Sequence, residues 1–208
     1  IKKILFFVIC LTPLFLGFLI PVSVLLNFVI KGYSIINFRE IIDTTITSIS
    51  ISFVASLTIM FLSFLMVVVA TYKSNTFQKS VIFLASCGYA FPGTILAVGI
   101  VVFVGWLNEL FYFQISYFVG GFLVLIFAYT LRFLAIGNGS ILSGVTRINP
   151  NLIDASKTMG RSFLTTIKKV ILPLTYTYIL VGGILVFVDI LKELPITLIM
   201  RPFNFETF

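Results

Sequence analysis

Five stretches of this 208-residue chain contain no Asp, Glu, Lys or Arg: residues 4–30, 44–72, 80–108, 110–131 and 170–188. They are 27, 29, 29, 22 and 19 residues long. A helix crosses ~30 Å of hydrocarbon in about 20 residues, so each run supports one span. Barrel strands would be about 10 residues long with alternating polarity, and that pattern is absent. Lipid cannot satisfy open backbone groups, so the spans must be helices. Hydrophobic residues make up 60% of the chain and charged residues only 10%. Soluble domains sit at roughly 45–50% and about 25%, and a soluble fold of this size could not hide the difference. The sequence therefore predicts an all-α, polytopic membrane helix bundle with five transmembrane helices.

The net charge of +7 would point to nucleic acid in a soluble protein. In a membrane protein it is a topology signal instead, and no nucleic-acid partner is expected. With the N-terminus inside, the inside segments carry Lys2, Lys3, Lys73, Lys79, Arg132, Arg147, Lys157, Arg161, Lys168 and Lys169, ten basic residues. The outside segments carry four, Lys31, Arg39, Lys192 and Arg201. Lys and Arg accumulate on the cytoplasmic side, so the N-terminus and the 132–169 loop are expected in the cytoplasm. Cys10 and Cys87 fall inside spans as small apolar filler. There is no His and no metal-ligand spacing, so no metal site is expected. The run after Lys2-Lys3 is too long for a signal-peptide core and no cleavage pattern follows it. It reads as a first span, and the initial Ile is expected to mark a fragment.

The chain reads as one membrane domain, 1–208. Pro13 and Pro21 should kink the first helix. An outer loop follows over 31–43, then a second helix to about Tyr72 and a short turn over 73–79. The third helix starts near Ser80 and contains Pro92-Gly93. A second outer loop is expected over 105–118, with Trp106, Tyr112 and Tyr117 as interface aromatics. The fourth helix is expected from about Val119 to about Leu131, with at most a further turn, and the fifth from Leu172-Pro173 to Asp189. Residues 189–208 then lie outside.

The polar loop before the fifth helix has its own structure. Asn149 can cap free amides and Pro150 is tolerated at a first helical position. Gly160 suits a left-handed helix end, and Ser162 can cap a second helix running toward Pro173. Ile148, Leu152, Ala155 and Met159 form one apolar stripe, with Asn151, Ser156, Lys157 and Thr158 off it. Such a helix either docks in a partner's groove or lies flat among lipid headgroups. The residues alone leave both readings open.

Asp154-Ala155-Ser156, three residues, Gly160, nine residues and then Val170-Ile171-Leu172-Pro173 resemble the EAA loop of binding-protein-dependent ABC importer permeases. The departures, Asp154 for Glu, Ser156 for Ala and Val170 for Ile, keep charge, small size or apolar bulk. The resemblance implies a coupling loop over 147–172. Its ATPase-coupling residues would be Pro150, Asn151, Asp154, Ala155, Ser156, Lys157, Thr158, Met159, Gly160, Arg161, Leu172 and Pro173. It also implies ABC ATPase subunits, a second permease half, a periplasmic substrate-binding protein and the bacterial inner membrane as surroundings.

Two further segments, 89–99 and 192–205, are similar to ferric-iron importer permeases. On that likeness the chain is most of the second half of a fused permease, lacking its sixth helix. Pro92 and Gly93 should open the third helix and free a carbonyl near residue 88, and broken helices line transport paths. Tyr89, Pro92, Gly93 and Thr94 are thus candidate path residues, with Asp189, Lys192 and Glu193 as an ion-paired gate at the outer mouth. A passive kink and ordinary interfacial charge account for the same residues. The outer acids Glu40, Asp43, Glu109, Asp189, Glu193 and Glu206 outnumber the four outer bases by two, which suits a cationic cargo. No phosphate-binding GxxxxGK[ST] pattern occurs. The chain is expected to be a non-catalytic subunit that binds no cofactor, with ATP and Mg held by the partner. Thiamine, polyamine, phosphonate or sulfate as cargo, and an ATP-independent channel or scaffold, stay open at this point.

Overall fold

The computed structural model describes residues 2–32, 37–72, 76–111 and 121–200. Among these residues every regular element is helical, as the uncharged runs require. The chain divides into two compact units, Ile1–Asp43 and Thr44–Phe208.

In the first unit, α1 (Lys2–Leu14) and α2 (Ile20–Gly32) are joined by a π-helical turn, Phe15–Leu19. Pro13 and Pro21 flank this turn. Each lacks the N–H that an unbroken α ladder needs, and the wider turn absorbs the mismatch, with Ile20 N–H donating to Phe15 O. No residue of α2 or the π turn is buried.

The second unit holds α3 (Phe38–Tyr72), which belongs to it from Thr44 onward, α4 (Thr76–Ser86), a 3₁₀ turn (Cys87–Ala90) and α5 (Gly93–Phe111). It continues with α6 (Phe122–Val145), α7 (Pro150–Thr158), α8 (Phe163–Thr166), a π turn (Ile167–Ile171), α9 (Leu172–Leu191) and α10 (Leu194–Met200). α8, the π turn and α9 form one helical rod of 29 residues, Phe163–Leu191. Among the described residues, four helices are long and apolar enough to cross a membrane: Ile9–Gly32, Phe38–Thr71, Phe122–Val145 and the rod. The arms Ser80–Ala90 and Gly93–Leu107 meet at 113° and make a fifth if they are one broken span.

Packing in this unit depends on small residues that let backbones approach. A Cβ on Gly137 would strike Ser63, one on Gly144 would strike the Tyr178 ring, and one on Gly182 would strike Ser140. Ser140 Oγ donates to Tyr178 O at 2.8 Å. Residues 140 and 144 thus lie level with 182 and 178, so α6 and the rod run antiparallel. Ile59, Leu125, Ile141, Val186 and Ile196 fill the space between the helices and are fully buried.

Several expected boundaries move. α3 begins at Phe38 rather than Thr44, with Glu40 in its first turn, where a carboxylate suits the helix dipole. α5 runs to Phe111, so residues 105–111 are helix rather than loop. Trp106 is exposed on it and stacks on Phe103 at 6.2 Å; Tyr112 and Tyr117 lie outside the described residues. α6 continues to Val145, far past Leu131, and the fifth helix begins at Phe163 rather than Leu172. Of the turn expected over 73–79, residues 76–79 are already helix, while residues 73–75 and 201–208 lie outside the described residues.

Candidate functional site

The connection between α6 and the rod is short, and the sequence specifies its shape. Asn149 Oδ1 accepts from Asn151 N–H at 3.0 Å, capping α7. Gly160 has φ +71°, a left-handed value that a side chain disfavours. Across it Arg161 N–H returns to Ser156 O at 3.2 Å, closing the helix end. Ser162 Oγ then accepts from Thr165 N–H at 3.4 Å and caps α8. The result is a helix, a tight turn and a second helix that continues as the rod.

α7 shows its apolar stripe to the surroundings. Ile148 is buried, but Leu152 is 49% and Met159 66% exposed, and Ala155 is exposed too. Asn151, Asp154, Thr158 and Arg161 are also exposed. The hidden side is Ser156, which lies off the stripe and is 2% exposed. Its hydroxyl is 2.8 Å from that of the fully buried Thr166. Thr166 Oγ1 already donates to Ser162 O at 3.2 Å, so Ser156 is the donor. One buried hydrogen bond thus pins α7 to the base of the rod. Leu172 and Pro173 are not gathered with the stripe; they lie nine residues into the rod from Phe163, about 14 Å along it. Lys157 falls within the α7 helix, and its side chain lies outside the described residues.

The second cluster surrounds Pro92-Gly93. Phe91 is extended, φ −84° and ψ 138°, as a residue before proline prefers. The helix therefore breaks outright instead of kinking. Gly88 O is not left free; it accepts from Phe91 N–H at 3.4 Å in the 3₁₀ turn. The carbonyl that meets a side chain is Phe91 O, which accepts from Arg132 Nη1 at 2.7 Å. Gly88 sits so close to α6 that a Cβ would collide with Leu131 O. Tyr89 is exposed, with its ring 6.4 Å from that of Phe133. Thr94 is exposed at the start of α5.

Arg132 and Glu193 overturn two sequence assignments. Arg132 was expected in the cytoplasmic loop and Glu193 at the outer mouth. Arg132 lies ten residues, or about 15 Å, into α6 from Phe122, and its Nε is 3.1 Å from Glu193 Oε2. The side chains are 18% and 9% exposed. Arg132 Nε lacks an aligned hydrogen-bond partner and Glu193 Oε1 has no hydrogen-bond partner, so the contact is one of charge with one carboxylate oxygen unmet. The expected gate of Asp189, Lys192 and Glu193 does not assemble: Glu193 pairs with Arg132, while Lys192 is exposed. Sequence reasoning missed Arg132 as a site residue. The available signal was its position in an otherwise apolar segment, where an ionisable residue calls for a partner.

The short helix after Glu193 is fixed by the same group of residues. Tyr129 and Thr197 hydroxyls are 2.6 Å apart, and Thr197 Oγ1 also donates to Glu193 O. Thr45, Ser48, Ser52, Tyr129 and Thr197 line, with four aliphatic residues, a cavity of about 250 Å³ beside α10.

No curated protein matches the chain. The sequence profile described as "Binding-protein-dependent transport system inner membrane component" matches residues 67–201, covering the broken helix, α6, the α7 loop, the rod and α10. With most of the chain matched and a multi-pass helical bundle beneath it, the protein belongs to this family and is a transmembrane permease of an ABC importer.

Proposed function

We propose that α7 is the segment that seats in the importer's ATPase, and that the chain passes ferric iron received from a periplasmic binding protein. The family works with an ATPase and a binding protein, and its permeases are generally non-catalytic. In this reading the partner holds ATP and Mg. A second permease half completes the pathway, and the two alternate between outward and inward openings in the bacterial inner membrane.

The observation that carries the ATPase-docking reading is the orientation of α7. Its apolar residues Leu152, Ala155 and Met159 face outward, while its one fully hidden polar residue, Ser156, anchors it to the rod. A helix lying in headgroups needs its apolar face turned to the lipid, with a basic polar face opposite. An anchored helix with an outward stripe suits a groove in a partner. Arg147, Arg161, Lys168 and Lys169 surround this loop and are all exposed, which supports a cytoplasmic position by the positive-inside bias. With Arg132 moved into the bundle, the loop end still holds most of the basic residues.

The likeness of 89–99 and 192–205 to ferric-iron permeases supports iron as cargo. Glu40, Asp43, Glu109 and Asp189 remain as acids for the opposite face, with Glu193 withdrawn into the bundle and Glu206 outside the described residues. Purification with the ATPase tests the docking: Leu152→Asp/Met159→Asp should insert normally and lose the ATPase. Retention of the ATPase by that variant would overturn it. Vesicle uptake with the binding protein, comparing radiolabelled ferric iron and thiamine, tests the cargo. Thiamine uptake without iron uptake would refute iron and leave the docking untouched.

A further inference from the structure

The antiparallel packing of α6 and the rod has a mechanical consequence. The rod is 29 residues long, about 43 Å at 1.5 Å per residue. At one end the buried Ser156–Thr166 bond ties it to α7. At the other end Glu193, two residues past Leu191, meets Arg132 partway along α6. Arg132 also holds the Phe91 carbonyl at the break in the third span. Gly93 completes the arrangement, because a Cβ there would collide with Glu193 Oε1 and come within 3.3 Å of Arg132 Nη1. One buried charge pair thus joins the far end of the rod, the middle of α6 and the Pro92-Gly93 break.

We propose that Arg132 and Glu193, with Gly93 as the notch that admits the carboxylate, form a latch that delivers movement of α7 to the broken third span and to α10. The elements on both sides are in place for this. α10 packs on α5 and α6, and its Thr197 forms part of the wall of the cavity beside it. Opening the latch frees α10 and alters that wall. Intramembrane charges of this kind mark working positions by default. Arg132 and Glu193 are positioning residues in this scheme; nothing requires either to touch cargo.

The proposal rests on the docking of α7 with an ATPase, and its test separates the two. The permease–ATPase complex is placed in lipid nanodiscs in a Cys10→Ser/Cys87→Ser background, with Thr94→Cys as a reporter beside the break. ATP hydrolysis and the rate of labelling by a membrane-impermeant maleimide are measured with and without ATP and vanadate. The parent complex should hydrolyse ATP and change its labelling rate on ATP binding. Arg132→Met and Glu193→Gln should each keep hydrolysis and lose the ATP-dependent change in labelling. The exchange Arg132→Glu/Glu193→Arg should restore part of it, which a purely packing role would not do. Gly93→Ala, which keeps both charges and blocks the notch, should behave like the single charge variants. ATP-dependent labelling that persists in Arg132→Met and Glu193→Gln overturns the latch and leaves docking standing. A parent complex that hydrolyses ATP without any ATP-dependent labelling also overturns the latch, whereas retention of the ATPase by Leu152→Asp/Met159→Asp overturns the docking.

Discussion

The Ser156–Thr166 hydrogen bond is the most direct handle on the α7 loop. Both hydroxyls are buried and 2.8 Å apart, and Thr166 spends its own proton on Ser162 O. Ser156→Ala therefore removes a donor and leaves an acceptor lone pair of Thr166 unmet. A typical intramolecular hydrogen bond contributes about 1 kcal/mol net, so α7 should detach from the rod about five times more often. Thr166→Val removes the acceptor and orphans a buried donor, which costs about 1–3 kcal/mol. Ser156 can recover some of this by donating to the carbonyl one turn back. The double variant leaves no orphan, so its effect should fall short of the sum by about 1 kcal/mol, a coupling expected of residues in contact. Hydrogen exchange of the Asn151–Thr158 amides in nanodiscs reads this local opening directly. Protection should fall about fivefold in Ser156→Ala, on the same scale of about 1 kcal/mol. Additive single effects, or unchanged protection in Ser156→Ala, would refute the claim that this bond anchors α7.

Three further outcomes follow from the same geometry. Gly160→Ala forces a side chain into a left-handed backbone and should cost about 1–2 kcal/mol, with Gly160→Asn costing less; exchange in 157–162 distinguishes them. Asn149→Ala removes the α7 cap and should cost about 1 kcal/mol of loop stability, while Asn149→Asp keeps it. Gly182→Val places a side chain against Ser140 and Met60 and should separate α6 from the rod, lowering the thermal unfolding temperature of the detergent-solubilised permease more than Gly99→Val, where nothing lies within 4 Å.

The spans were legible because lipid leaves a chain so few choices: an uncharged run of sufficient length must be helical. The loop was legible because its caps and its turn are local. Asn149, Gly160 and Ser162 each act within a few residues of themselves. What charge counting could not see was the partner of Arg132. Treating each charge as a mark of water ended the fourth helix near Leu131, whereas Glu193, distant in sequence, lets the arginine stay inside a helix that runs to Val145. The same habit made Lys168 and Lys169 look like loop, although they lie in the π turn of the rod. Periodicity found the stripe of Leu152, Ala155 and Met159 but not its direction. That depended on Ser156, whose partner lies across the Gly160 turn.

The direction of that stripe is the centre of the account, and a photo-reactive group settles what it faces. With p-benzoylphenylalanine in place of Met159, native membranes containing the ATPase are irradiated and the adducts identified by mass spectrometry. The account predicts a covalent adduct to the ATPase subunit, lost when Leu152→Asp is added. Adducts to lipid alone, with the ATPase still bound to the permease, would contradict it.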